Sequence, residues 1–143
     1  PKTPAAEYRK ANRTRGEAAL GRILADHQDI QGAMVSRKLG PIDFVWGEAF
    51  NHETGYGFSH IIEKHGIEAA NKVPEILAQG KYYNDERKPG EFLVVYQGTV
   101  VSLKRRTDNF YVVSSYDDAK KATAYIRRGG QIENKAEGEG ATC

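Results

Sequence analysis

Cysteine is almost missing: there is one, Cys143, at the last of 143 positions. A lone thiol closes no internal disulfide and builds no structural zinc site, so the fold has to rest on its core. Long apolar runs are missing too. No stretch nears the roughly 20 residues of a membrane-crossing helix, and no membrane insertion is expected of this domain. The opening PKTPAAEYRKANRTRG lacks the apolar centre of a signal peptide, and residues 1–15 are expected to form a basic, flexible leader. The sequence starts on proline rather than methionine, as a piece of a longer protein would. No internal repeat is present.

What is there suits one globular domain. Hydrophobic residues make up 39% and charged residues 28%, and 143 residues suffice for a core. The net charge is only +2 but is unevenly spread. Residues 1–41 hold eight Lys/Arg against four Asp/Glu, and residues 81–107 hold six against three. Two basic segments point to an anionic partner such as RNA. The final GGQIENKAEGEGATC is acidic and glycine-rich, and residues 129–143 are expected to be a disordered tail. The domain proper is expected over residues 16–128.

Apolar spacing predicts a helix from about Gly16 to Asp29, with His27 at the rim of its buried stripe. In GPIDFVWG, the alternation of Ile42, Phe44 and Trp46 predicts a strand, with Phe44 and Trp46 in the core. A glycine-rich loop from Glu48 to Gly57 leads to a short helix, about Ser59 to His65, closed by Gly66. A second helix ends at Gly80, and Pro74 either starts it or kinks it. EFLVVY, TVVSLKRR and NFYVVSSY then predict an antiparallel meander, followed by a helix over DDAKKATAYIRR. Helices first and a meander after them imply an α+β fold, with N-terminal helices packed on a small antiparallel sheet.

Two histidines, His60 and His65, lie five apart in GYGFSHIIEKHG. At about 100° per residue, His65 turns between Ile61 and Ile62 toward the core, and His60 turns the opposite way beside Glu63 and Lys64. Helical metal ligands need a spacing of three or four, and no cysteine or carboxylate cluster adds donors, so no metal site is expected. On the meander, a three-residue loop at Thr107–Asn109 pairs Arg106 with Phe110 and Ser102 with Ser114. Lys104, Arg106, Ser114 and Tyr116 then share a polar face, with Arg105 and Tyr111 on the other. A two-residue turn at Asp108-Asn109 would instead bring Arg105 to Ser114 and Tyr116. Cations and hydroxyls on one open face suit a phosphodiester.

LGPIDFVWG, GYGFSHIIEKHG and the hairpin ending YVVSSY together resemble the phage-type branch of the barnase–EndoU–colicin–RelE-like (BECR) ribonucleases, over residues 20–118. These are toxin domains of phage-encoded and contact-dependent or polymorphic bacterial toxins. The resemblance implies a metal-independent, cofactor-free endoribonuclease. It would cleave RNA by attack of the 2′-OH on its own phosphate, leaving 2′,3′-cyclic phosphate and 5′-OH ends. By the same resemblance His60, Lys104, Ser114 and Tyr116 are the catalytic positions. Arg105, Arg106, Ser115 and His65 are substrate-binding neighbours, with His65 also supporting the packing of the motif. A serine stands where the family often has threonine, which leaves Ser114 and Ser115 both open. The implied partners are cellular RNA and a cognate immunity or antitoxin protein, and the implied place of action is a bacterial cytoplasm into which the toxin is delivered. Two other readings stay open. One is a non-catalytic RNA- or protein-binding module. The other is an ADP-ribosyltransferase-like toxin, for which Glu86 or Glu91 would have to serve.

Overall fold

The computed structural model describes residues 3–51, 54–84 and 88–128. The acidic tail expected over 129–143, and Glu86, lie outside them.

Helix α1 spans Pro4–Asp26, so most of the segment expected to be a flexible leader is helical. The Thr3 hydroxyl accepts from the Ala6 amide at 3.1 Å, and Pro4 occupies the first turn, where its missing N–H costs nothing. Its buried positions, Asn12, Gly16, Ala19, Leu20 and Ile23, follow helical spacing but are mostly small or polar. That composition hid the stripe from apolar periodicity. Gly16 is needed there: a Cβ would come within 2.5 Å of Met34 Sδ. The helix ends at His27, which is left-handed (φ 55°) and donates its N–H to Ile23 O. His27 is therefore an exposed cap rather than a residue of the buried stripe, and its ring stacks on Trp46 at 3.8 Å.

Strands β1 (Ile30–Ser36) and β2 (Gly40–Phe44) form a hairpin. A two-stranded ribbon, β3 (Glu48–Ala49) with β4 (Gly55–Tyr56), leads into α2 (Gly57–His65) and α3 (Ile67–Gln79). Helix α3 starts at Ile67 and carries Pro74 buried in its interior. Then come β5 (Lys81–Asn84), β6 (Glu91–Tyr96), β7 (Thr99–Arg106), β8 (Asn109–Asp117) and α4 (Ala119–Arg128). The main sheet has six strands in the order β1-β2-β8-β7-β6-β5, antiparallel except where β2 meets β8. This is an α+β fold. Helices α1 and α3 cover one face, burying Met34, Ile42, Phe44, Val94, Val101, Leu103 and Val112. On the other face Ala122 of α4 packs with Tyr83, Leu93, Val95 and Val100.

The β7–β8 hairpin departs from both expected registers. Its loop is Thr107-Asp108, with Thr107 at φ 54°, so Arg106 faces Asn109 and Arg105 faces Phe110. A bulge then leaves Val113 without an opposite residue, and Ser102 still faces Ser114. The bulge adds the residue that the shorter loop removed. Its consequence is that Tyr111, opposite Lys104, shares the face of Ser114 and Tyr116 instead of the core face.

Candidate nuclease site on the edge of β8

Strand β2 pairs with β8 only at Ile42–Phe110 and Asp43–Tyr111. Beyond Tyr111, β8 keeps β7 on one side, and α2 packs against it. Helix α2 is locked to the exit of β2: the Phe58 and Ser59 amides donate to the carbonyls of Val45 (2.9 Å) and Trp46 (2.8 Å). Those bonds satisfy two of the free N–H groups of a helix start. Gly57 (φ +81°) allows the approach, since a Cβ would lie 2.7 Å from both carbonyl oxygens. Phe58 then packs on Phe44 with ring centres 5.0 Å apart.

This anchoring reverses the expected roles of the histidines. The helix begins at Gly57, not Ser59, and its buried residues are Gly57, Phe58, His60 and Ile61. The inward direction thus centres on Ile61 and takes in His60, which is only 5% exposed. His65, at the far end of the helix, is exposed. Their rings nevertheless lie 6.5 Å apart, edge to face. Gly55 backs the inner one, because a Cβ there would lie 3.0 Å from His60 Nδ1.

Other rings extend this pair along β8. His65 is 5.9 Å from Tyr116, whose hydroxyl accepts from Lys121 Nζ at 2.9 Å. A cavity of about 220 Å³ opens here between His65, Glu68, Lys72, Tyr116 and Asp117. Toward the other end Tyr56 meets Tyr111 edge-on at 6.2 Å, and the Arg106 guanidinium lies 5.2 Å from the Tyr111 ring. A second cavity, about 390 Å³, opens beside Gln31, Asp43, Arg106 and Asn109. Asp43 is buried there and ties three strands together, accepting from Gly32 N (2.8 Å) and Asn109 Nδ2 (2.9 Å). From Tyr111 to Tyr116 the strand advances roughly 16 Å, with Ser114 between them.

The expected site residues therefore divide. His60, His65, Ser114 and Tyr116 lie along one edge of β8. Lys104 and Arg106 are exposed and share the sheet face of Ser114 and Tyr116, at the Tyr111 end. Arg105 points to the other face, its guanidinium 5.8 Å from the Phe110 ring. Ser115 leaves the group as well. It is fully buried, and its hydroxyl donates to Ala69 O of α3 at 3.3 Å. Glu91 faces Lys104 across β6 and β7. Tyr56, Tyr111 and Lys121 are additions that sequence reading missed. Tyr111 depended on the bulge, and the sole sequence signal for Tyr56 is its place between Gly55 and Gly57.

A family model described as phage-Barnase-EndoU-ColicinE5/D-RelE like nuclease 1 matches residues 33–122. The chain belongs to this nuclease family. The match takes in every site residue named above except Gln31 and Gly32 and leaves out all of α1. No curated protein and no solved structure matches the chain. In this nuclease, no group of three His, Cys, Asp or Glu side chains among the described residues is placed to hold a metal ion.

Proposed function

We propose that this nuclease is an endoribonuclease that uses the ribose 2′-hydroxyl as its nucleophile. The observation that carries the proposal is the pair of imidazoles 6.5 Å apart, flanked by Tyr116, at the edge of a sheet whose one face bears Ser114 of β8 and Lys104 of the adjoining β7. Histidine changes protonation near neutral pH, so two rings can divide the work of base and acid. His60 takes the 2′-OH proton, and O2′ attacks the adjacent phosphorus. The P–O5′ bond breaks, and His65 returns a proton to the leaving 5′-oxygen. Lys104 and Arg106 offset the charge of the phosphorane, and Ser114 donates to a phosphate oxygen. Tyr116 and Tyr111 offer ring faces to bases on either side of the cut. The products are a 2′,3′-cyclic phosphate and a 5′-OH. These donors carry out the steps without a metal ion.

The wider reading is of a toxin delivered into a bacterial cytoplasm and held in check by an acidic immunity protein. The basic residues exposed along β7 support it by charge complementarity.

Incubation with total bacterial RNA, followed by mapping of the fragment ends, tests the chemistry. Expected are cyclic phosphate and 5′-OH ends, no cleavage of the same sequence as DNA, and undiminished activity in EDTA. RNA binding without product would favour a binding module. Activity lost in EDTA and restored by a divalent ion would replace this mechanism with a metal-dependent one.

A further inference from the structure

The first half of α1, outside the family match, forms a basic recess with the β1–β2 turn. It holds about 50 Å³ between Tyr8, Arg9, Asn12, Arg37, Lys38 and Tyr82. A second cavity of about 140 Å³ adjoins it, with Tyr8 and Asn12 in both linings and Arg15 in its own. No described carboxylate lines either cavity. Two of the cations lie near aromatic rings, the Arg37 guanidinium 5.4 Å from that of Tyr8 and Lys38 Nζ 5.4 Å from that of Tyr82, and Arg15 donates to Gly32 O at 2.8 Å. Tyr8 is fixed in turn by donating its hydroxyl to Val35 O.

Asn12 makes this more than a basic surface. It is 9% exposed, and its Oδ1 accepts from Val35 N–H at 2.9 Å. Only the carbonyl end of the amide can accept, so the donors Asn12 can give a ligand are the two N–H groups of Nδ2, and Asn12 lines both cavities. Donors fixed by the backbone, surrounded by cations and without a lining carboxylate, match an oxyanion and repel a cation. We propose that this recess binds a phosphate group, with Asn12 Nδ2 and Arg9 as principal contacts, Lys38 beside them, and Arg15 and Arg37 at the rim. The phosphate is either free or carried on a nucleotide or nucleic-acid strand.

Inorganic phosphate is titrated into ¹⁵N-labelled protein while the Val35 backbone amide, which donates to Asn12 Oδ1, is followed by NMR, with potassium chloride at equal ionic strength as control. A saturable shift confined to phosphate is expected, weakened about tenfold or more in Arg9→Gln. It should disappear in Asn12→Asp, which keeps an acceptor for Val35 N–H. An absent shift, an equal shift in chloride, or an unchanged response in Arg9→Gln overturns the proposal. Arg9 is exposed, so that variant stays informative even if Asn12→Asp fails to fold. A trideoxynucleotide with and without a 5′-phosphate identifies the source. A shift from both assigns the site to strand phosphates, and a shift only from the phosphorylated form or inorganic phosphate assigns it to terminal or free phosphate. DNA lacks the 2′-OH, so this readout is independent of RNA cleavage.

Discussion

The two halves of β8 belong to one strand and do different work. From Asn109 to Tyr111 it has a strand on each side, and Asp43 clamps the junction to β1 through Gly32 and Asn109. From Val112 to Asp117, β7 remains on one side and α2 packs against the strand with its two histidines. The first half holds the sheet together. The second gives up a neighbouring strand, and a helix can then bring imidazoles to a strand edge. The bulge at Val113 lies at the boundary and keeps Tyr111, Ser114 and Tyr116 on a common face.

The largest expected effect tests the second half. His60→Gln keeps a polar side chain in the buried slot and should lower RNA cleavage about 10²–10⁴-fold, while thermal unfolding stays cooperative. Full activity would remove His60 from the chemistry. The first half should respond in the opposite way. Asp43→Ala strands the Gly32 N–H and the Asn109 amide, and should cost about 1–3 kcal/mol in denaturant unfolding while cleavage per folded molecule is retained. Lost cleavage with unchanged stability would erase the division between the halves.

The adjacent serines sharpen the contrast within one half. Ser114→Ala should slow cleavage about tenfold at unchanged stability, as one lost hydrogen bond to a charged group would. Ser115→Ala should leave cleavage alone and cost about 1 kcal/mol through its bond to α3.

The smallest effect lies far from both halves. Burial raises the pKa of the Tyr82 phenol, whose hydroxyl donates to Leu77 O at 2.7 Å. Its neutral form is favoured in the folded state. Stability from this group is therefore fully present below about pH 10, the ordinary tyrosine value, and falls as the unfolded chain ionises above it. Unfolding free energies from pH 8 to 11 should show that decline, and Tyr82→Phe should flatten it.

The meander was legible in the sequence because β6, β7 and β8 alternate strongly and their connections are short. Strands β1 and β5 were not foreseen. IQGAMVS contains a glycine and little alternation, and KYYN is only four residues long. Helix α1 was foreshortened because its buried side is built from Asn12, Gly16 and Ala19, which carry almost no apolar signal. At the candidate site, which residues neighbour one another was more legible than their orientation. His60, His65, Ser114 and Tyr116 do lie along one edge. The buried and exposed histidines exchanged places because α2 buries its N-terminal half, Gly57, Phe58, His60 and Ile61, and exposes its last turn, which ends at His65. Ser114 and Ser115 separated only when α3 was seen to accept a bond from one of them.

The stacking of His27 on Trp46 has a practical consequence, because Trp46 is the sole indole in the chain. Its ring touches the end of α1, and its carbonyl receives the Ser59 amide at the start of α2. The protein thus carries its own fluorophore at the junction of β2 with the helix that presents the histidines. Emission from that one chromophore follows, without any label, the loss of this junction on unfolding.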